Sequence, residues 1–189
     1  MVQKLPRRGV GTRQAINFRG IEIIMNENGN TVSDIIDNIR RVFQVVHEHS
    51  KRAEKETGIT GPQLWAIKVI ADFAPIKGAD LARRMYLHPA TVVGILDRLE
   101  ARGLVVRSRS KVDRRIVEIG LTEEGRALAV SAPEVAQGKL VQGLESLPQE
   151  KLLKISEGLE ELVQLVGAQE MAPRLMRSPE VNLPKKTKG

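Results

Sequence analysis

Arg98, Arg107, Arg109, Lys111, Arg114 and Arg115 crowd one short stretch of this chain, with Asp113 among the last of them. Fixed cations at that density hold a polyanion: each can pair with a phosphate, and arginine can also enter a narrow, electronegative groove. Other chemistry is poorly supplied. The chain has no cysteine, so disulfides, thiolate metal sites and cysteine redox switches are excluded. Its histidines are scattered; His47 and His49, two apart on a helix, point to different sides and make no metal pair. No glycine-rich phosphate loop follows a strand. The expectation is a protein without catalytic residue, metal or cofactor, and not an enzyme.

A helix and a hairpin must carry these cations. Val92, Ile95, Leu96 and Leu99 recur at i, i+3, i+4 and i+7, which predicts a helix with one apolar stripe. Gly103 stops it. Residues 104–107 and 116–121 are β-prone runs split by a basic tip at 108–115. A short helix over 78–85 precedes, and His88-Pro89 opens the next. A second helix beside a basic hairpin reaches a major groove and the adjacent minor groove, so double-stranded DNA is the expected partner.

With the stripe packed inward, Ala90, Gly94, Asp97 and Ala101 turn outward, flanked by Thr91, Val93 and Arg98. Helix N-termini supply most base contacts, so Pro89, Ala90, Thr91, Val93 and Gly94 are the expected groove-facing residues. That surface is small and apolar, suited to thymine methyls, and holds no bidentate arginine or asparagine reader. Gly94 either lets the backbone lie deep in the groove or is tolerated at about 1 kcal/mol against alanine. His88 either bonds a phosphate or serves the helix start. Arg98, Arg107, Arg109, Lys111 and Arg114 are assigned to phosphates, which fix position but carry little sequence information.

Leu81-Ala82, Thr91-Val92, Asp97-Arg98-Leu99-Glu100, Gly103-Leu104-Val105, Asp113-Arg114-Arg115 and Leu121-Thr122-Glu123-Glu124-Gly125 appear in order. Together they resemble the winged helix-turn-helix of MarR-type transcription regulators, over roughly residues 31–168. The resemblance implies a mainly α fold with a small β-hairpin wing, flanked by dimerisation helices. It implies a homodimeric, ligand-responsive repressor on a pseudo-palindromic operator. It also implies that Arg115 enters the minor groove while Asp113 orients the hairpin by pairing with an arginine; a plain turn role for Asp113 stays open. Family members bind small aromatic or phenolic acids between the dimer helices and the winged domain. Arg40, Phe43, His47 and Trp65 are candidates for such an effector pocket, with Phe43 and Trp65 as core and Arg40 as solvated the alternative. Val93 and Gly94 depart from the family, where polar or arginine side chains are common at those places.

The net charge of +7 is unevenly sorted. Residues 77–115 hold ten basic and four acidic side chains, whereas 131–170 hold three basic and seven acidic. Such sorting argues for a directed electrostatic footprint. Only 3% of residues are aromatic, so any core is aliphatic. No apolar run approaches the roughly 18 residues of a membrane helix, and no secretory leader is recognisable, so the expected site is the cytoplasm.

Residues 1–30 read as a poorly ordered arm, 31–170 as the regulator domain with its winged core at about 60–122, and 171–189 as a disordered basic tail. Apolar seams at 32–56 and 123–167 exceed what one small winged domain can bury, and mark dimerisation helices. Thr60-Gly61-Pro62-Gln63 is a capping box opening a helix to about Phe73, Thr122 caps another, and Pro148 opens the last. Pro133 breaks the helix that Thr122 begins near Ser131, unlike the unbroken helix the resemblance implies. Two other uses of the fold remain: an architectural DNA-binding protein with little operator preference, and a protein-interaction module.

Overall fold

The computed structural model describes residues 29–175 in full and the backbone of 14–18 and 21–25. Two compact units divide the chain, residues 1–44 and 45–189. In the first, β1 (Gln14–Phe18) pairs antiparallel with β2 (Ile21–Met25), Gln14 opposite Met25 and Phe18 opposite Ile21. Two strands thus stand where the sequence predicts an arm without order; the isoleucines at 16, 21, 23 and 24 favour extended pairing. Helix α1 (Gly29–Thr57) starts in this unit. Its Val32, Ile35, Ile36, Val42 and Phe43 are exposed.

The second unit begins with the end of α1, which Gly58 terminates at φ 69°, a left-handed turn that favours glycine. Arg102 Nη1 donates to the Gly58 carbonyl at 2.6 Å. Helix α2 (Gly61–Phe73) follows, with the Thr60 N–H donating to Gln63 Oε1 at 3.2 Å, the backward arm of the expected box. Next come β3 (Ile76–Lys77), α3 (Gly78–Arg84), α4 (Pro89–Ala101), β4 (Val105–Arg109) and β5 (Val117–Leu121). The sheet order is β3-β5-β4, all antiparallel, with Arg107 and Ile76 both opposite Ile119. The hairpin therefore gains a third, two-residue strand, too short to leave a periodicity in the sequence.

Leu64, Ile67 and Ile70 of α2 meet Leu81 and Met85, the stripe Val92-Ile95-Leu96-Leu99, and Val105, Ile119 and Leu121 in one aliphatic core. Fully burying each such side chain contributes about 1.5–3 kcal/mol, so this core fixes the α3–α4 pair against the sheet. Trp65 belongs to it.

Helix α5 (Glu123–Ser131) ends where Pro133 requires, and α6 (Ala136–Glu145) begins after it. Lys68 Nζ donates to the Ala129 and Ala132 carbonyls at 2.7 and 2.9 Å, satisfying acceptors that the break leaves without helical donors. Helix α7 (Gln149–Leu165) opens after Pro148 and buries no residue; Leu153, Ile155, Leu159 and Val163 are exposed. Of the expected basic tail, Leu175 packs against the core cluster, and residues 176–189 lie outside the described residues. No described helix is long and apolar enough to cross a membrane.

Candidate DNA-binding interface

Two local signals hold the reading helix. At its start, His88 Nδ1 accepts from the Ala90 N–H at 3.2 Å, so this ring caps α4. An accepting Nδ1 puts the ring proton of neutral histidine on Nε2. At its end, Gly103 turns at φ 69° and Leu104 N donates to the Leu99 carbonyl at 3.0 Å. The chain is thereby delivered into β4.

The outward face of α4 differs from expectation at one residue. Pro89 and Val93 are exposed and Ala90 and Gly94 half-buried, but Thr91 is only 6% exposed. Thr91 is one turn before Ile95 and shares its inner side, because the buried stripe is wider than the four aliphatic positions that define it. It is not a groove-facing residue.

The second correction concerns Arg107. Its Nη2 lies 2.8 Å from Asp97 Oδ1 and its Nη1 2.5 Å from Glu100 Oε2. Gripped by two carboxylates of α4, this half-buried guanidinium braces helix to hairpin, a role beyond the phosphate contact the sequence assigned to it. It also neutralises the two acids beside the reading face. We expect Arg107→Ala to weaken DNA binding by roughly 1 kcal/mol per half-site through like-charge repulsion. Adding Asp97→Asn and Glu100→Gln should recover most of that loss in a binding titration; no recovery would assign Arg107 to the DNA itself.

The wing is a short, tied loop. Ser110 N donates to the Ile116 carbonyl at 2.9 Å, and the buried Ser110 Oγ accepts from Val112 N at 3.3 Å. Arg109 Nη1 donates to the Arg114 carbonyl at 2.9 Å, so Arg109, which the sequence assigned to a phosphate, also spans the loop. Asp113 Oδ1 accepts from the Arg115 backbone N–H at 3.0 Å and from its Nε at 3.2 Å, and Oδ2 accepts from Nη2 at 3.3 Å. The arginine that Asp113 pairs with is thus the tip arginine itself. Lys111, Arg114 and Arg115 are exposed, and so is Arg98, whose Nη1 lies 3.4 Å from the Gly94 carbonyl.

The Arg115 backbone N–H, then its side chain, then the charge of Lys77 hold the Asp113 carboxyl below its ordinary 3.8. A depressed folded value means that the carboxylate supports the turn fully above 3.8 and loses it only as pH falls through the lower folded value. The Arg115 amide shift should therefore titrate with its midpoint below the ordinary carboxylate value. A midpoint at or above the ordinary value would show the turn does not depend on Asp113.

Sequence reasoning missed Lys77. Pairing of β3 with β5 places it opposite Glu118, near enough to act on Asp113, so it adds a cation beside the wing. It also missed Val112, 97% exposed at the wing tip. An apolar residue in a charged loop was the available signal.

The proposed effector residues fare differently. Trp65 is a core residue, Phe43 is 71% exposed, and Arg40 pairs with Asp37 one turn away at 2.9 Å. Arg40 and Phe43 belong to the first unit, and His47 and Trp65 to the second. Trp65 also lines a groove of about 600 Å³ between α2 and α5–α6, with Lys68, Phe73, Arg84, Val135 and Glu145.

A capped helix carried on an aliphatic core, braced to a basic β-hairpin, is a winged helix-turn-helix, the fold class the sequence predicts. The sequence profile of the MarR family matches residues 57–116. The HTH-type transcriptional regulator FarR of Neisseria gonorrhoeae is 33% identical over 113 residues, covering 60% of this chain and 77% of that protein. The HTH-type transcriptional repressor MdtR of Bacillus subtilis is 27% identical over 142 residues, covering 74% and 90%. A solved MarR family protein from Bacillus stearothermophilus is 27% identical with a TM-score of 0.47, covering 76% and 99%. The chain belongs to the MarR family, and it is a DNA-binding transcriptional regulator, not an enzyme.

Proposed function

We propose that the protein represses transcription as a homodimer on a pseudo-palindromic operator, with α4 in the major groove and the wing in the adjacent minor groove. The observation that carries this reading is the brace of Arg107 on Asp97 and Glu100, which presents helix and hairpin as one body with its nearby acids neutralised. Lys111, Arg114, Arg115 and Arg98 then meet phosphates or the minor groove. Repression is the activity named for MdtR. A second copy is the natural cover for the exposed aliphatic seams of α1 and of α7.

A small aromatic or phenolic effector fits the groove between α2 and α5–α6. Glu145 lines that groove, and its Oε1 accepts from the Tyr86 O–H at 2.8 Å. Tyr86 sits at φ 51° in the turn between α3 and α4, a left-handed conformation rare for a tyrosine. A ligand that displaces Glu145 would act on the turn that aims the reading helix. Of the four residues the sequence singled out, Trp65 lines this groove.

The test is titration of a duplex selected by the protein against a scrambled one across salt. Contact with about 6–10 phosphates per dimer should cost about 10³–10⁵-fold in affinity between 50 and 200 mM salt. Sedimentation at micromolar concentration should give a dimer. Equal binding of both duplexes would favour the architectural reading, and flat salt dependence would favour the protein-interaction reading.

A further inference from the structure

We propose that the reading helix recognises the C5-methyl groups of pyrimidines in the major groove, and not the hydrogen-bonding edges of the bases. The inference rests on the regulator reading above and names what its helix reads.

The structure removes the polar side chains from the first two turns of α4 one at a time. Thr91, the polar residue there, is buried against the core. His88 spends its Nδ1 on capping the helix. In the third turn Asp97 is bound by Arg107, and Arg98 lies back toward the Gly94 carbonyl. What faces outward is Pro89, Ala90, Val93 and the bare backbone at Gly94, with Val93 47% exposed. A Cβ added at Gly94 would meet only Arg98 Nη1, at 3.9 Å, so the space in front of this backbone is open.

Pro89, Ala90, Val93 and Gly94 carry no side-chain donor for guanine O6 and no acceptor for adenine N6. Such a face can cover a methyl group. Thymine carries one at C5 in the major groove, and cytosine carries none there. Removing one methyl-sized group from water changes an equilibrium about fourfold. 5-Methylcytosine presents its methyl at the same place, so the same face accepts it where it declines cytosine. The class of base recognised is therefore the 5-methylpyrimidine, and specificity from this helix grows with the number of methyls covered.

The experiment starts from a random-sequence duplex pool, from which the full chain selects a preferred site. The half-site thymines are then replaced by uracil, which removes the methyl and keeps the pairing and the minor groove. Each covered position should lose about fourfold in affinity. Replacing the same T·A pairs by C·G should also weaken binding, and 5-methylcytosine in place of that cytosine should recover about fourfold. Val93→Ala, a surface change that spares the core, should shrink both differences in a double-mutant cycle.

Unchanged affinity for the uracil duplex would overturn the proposal while leaving a DNA-binding regulator intact. A larger loss on 7-deazaguanine than on uracil would also overturn it, assigning readout to a base edge and to Arg98. A pool from which no site is enriched would sink the operator-specific reading and this proposal with it.

Discussion

Replacing Gly125 by alanine should destabilise the protein by at least ~3 kcal/mol, the upper part of the range for forced overpacking. A Cβ at this position would fall 2.0 Å from the Leu104 carbonyl oxygen and 3.3 Å from Leu121 Cβ. The obstacle is backbone, so no rotamer change relieves it. Leu104 cannot retreat easily, because its carbonyl also accepts from Thr122 N at 3.2 Å and its own N–H is bound to Leu99. Thr122 ties the same corner twice, donating from Oγ1 to the Gly103 carbonyl at 2.7 Å and accepting from Gly125 N at 3.0 Å. Calorimetry at fixed protein concentration should show a melting temperature lower by about 6–12 °C. Gly143→Ala is the control: nothing lies within 4 Å of its added Cβ, and alanine in a helix gains up to about 1 kcal/mol. A Gly125→Ala protein that melts with the wild type would mean that α5 joins the hairpin differently.

Arg115→Ala should lose roughly 1–3 kcal/mol per half-site, the range for a specific contact. The loss should be greater on A·T-rich flanks, whose narrow minor groove concentrates negative potential. The side chain is 91% exposed and held by Asp113 across the turn. The substitution isolates the guanidinium cleanly, because the Arg115 backbone N–H still reaches Asp113 Oδ1 and keeps the loop closed. Asp113→Ala removes the other side of that tie, loosening the loop but leaving the arginine, and should cost less. Titration of both variants against duplexes differing only in their flanks separates the roles. If Arg115→Ala binds every flank as the wild type does, the wing is a structural hairpin only.

Much of this site was legible because its signals are local. The stripe of α4, the cap before Pro89, the stop at Gly103 and the break before Pro133 each lie within a few residues of what they control. The errors share a different cause. Arg107 meets Asp97 and Glu100 only after the chain has reversed from helix into strand, and Lys77 reaches the wing only through β3, a strand of two residues. A pattern of types says that cations are near DNA-facing elements; it does not say which of them acids have already taken. Thr91 was misplaced for a related reason. Its type reads as surface, yet its helical angle puts it inside, and the helix start was judged by the role such positions serve in general.

The brace between α4 and the hairpin also constrains the DNA. Because Arg107 grips two carboxylates at once, the helix and the wing cannot slide past each other to suit a new site. One inserted base pair between the tract under α4 and the tract under the wing shifts their phase by about 34–36° and about 3.4 Å. Only residues 102–104 join α4 to β4, so there is little chain to absorb that change and one of the two contacts is expected to weaken. Operators for this protein are therefore expected to tolerate substitutions within each tract far better than a single-base insertion or deletion between them.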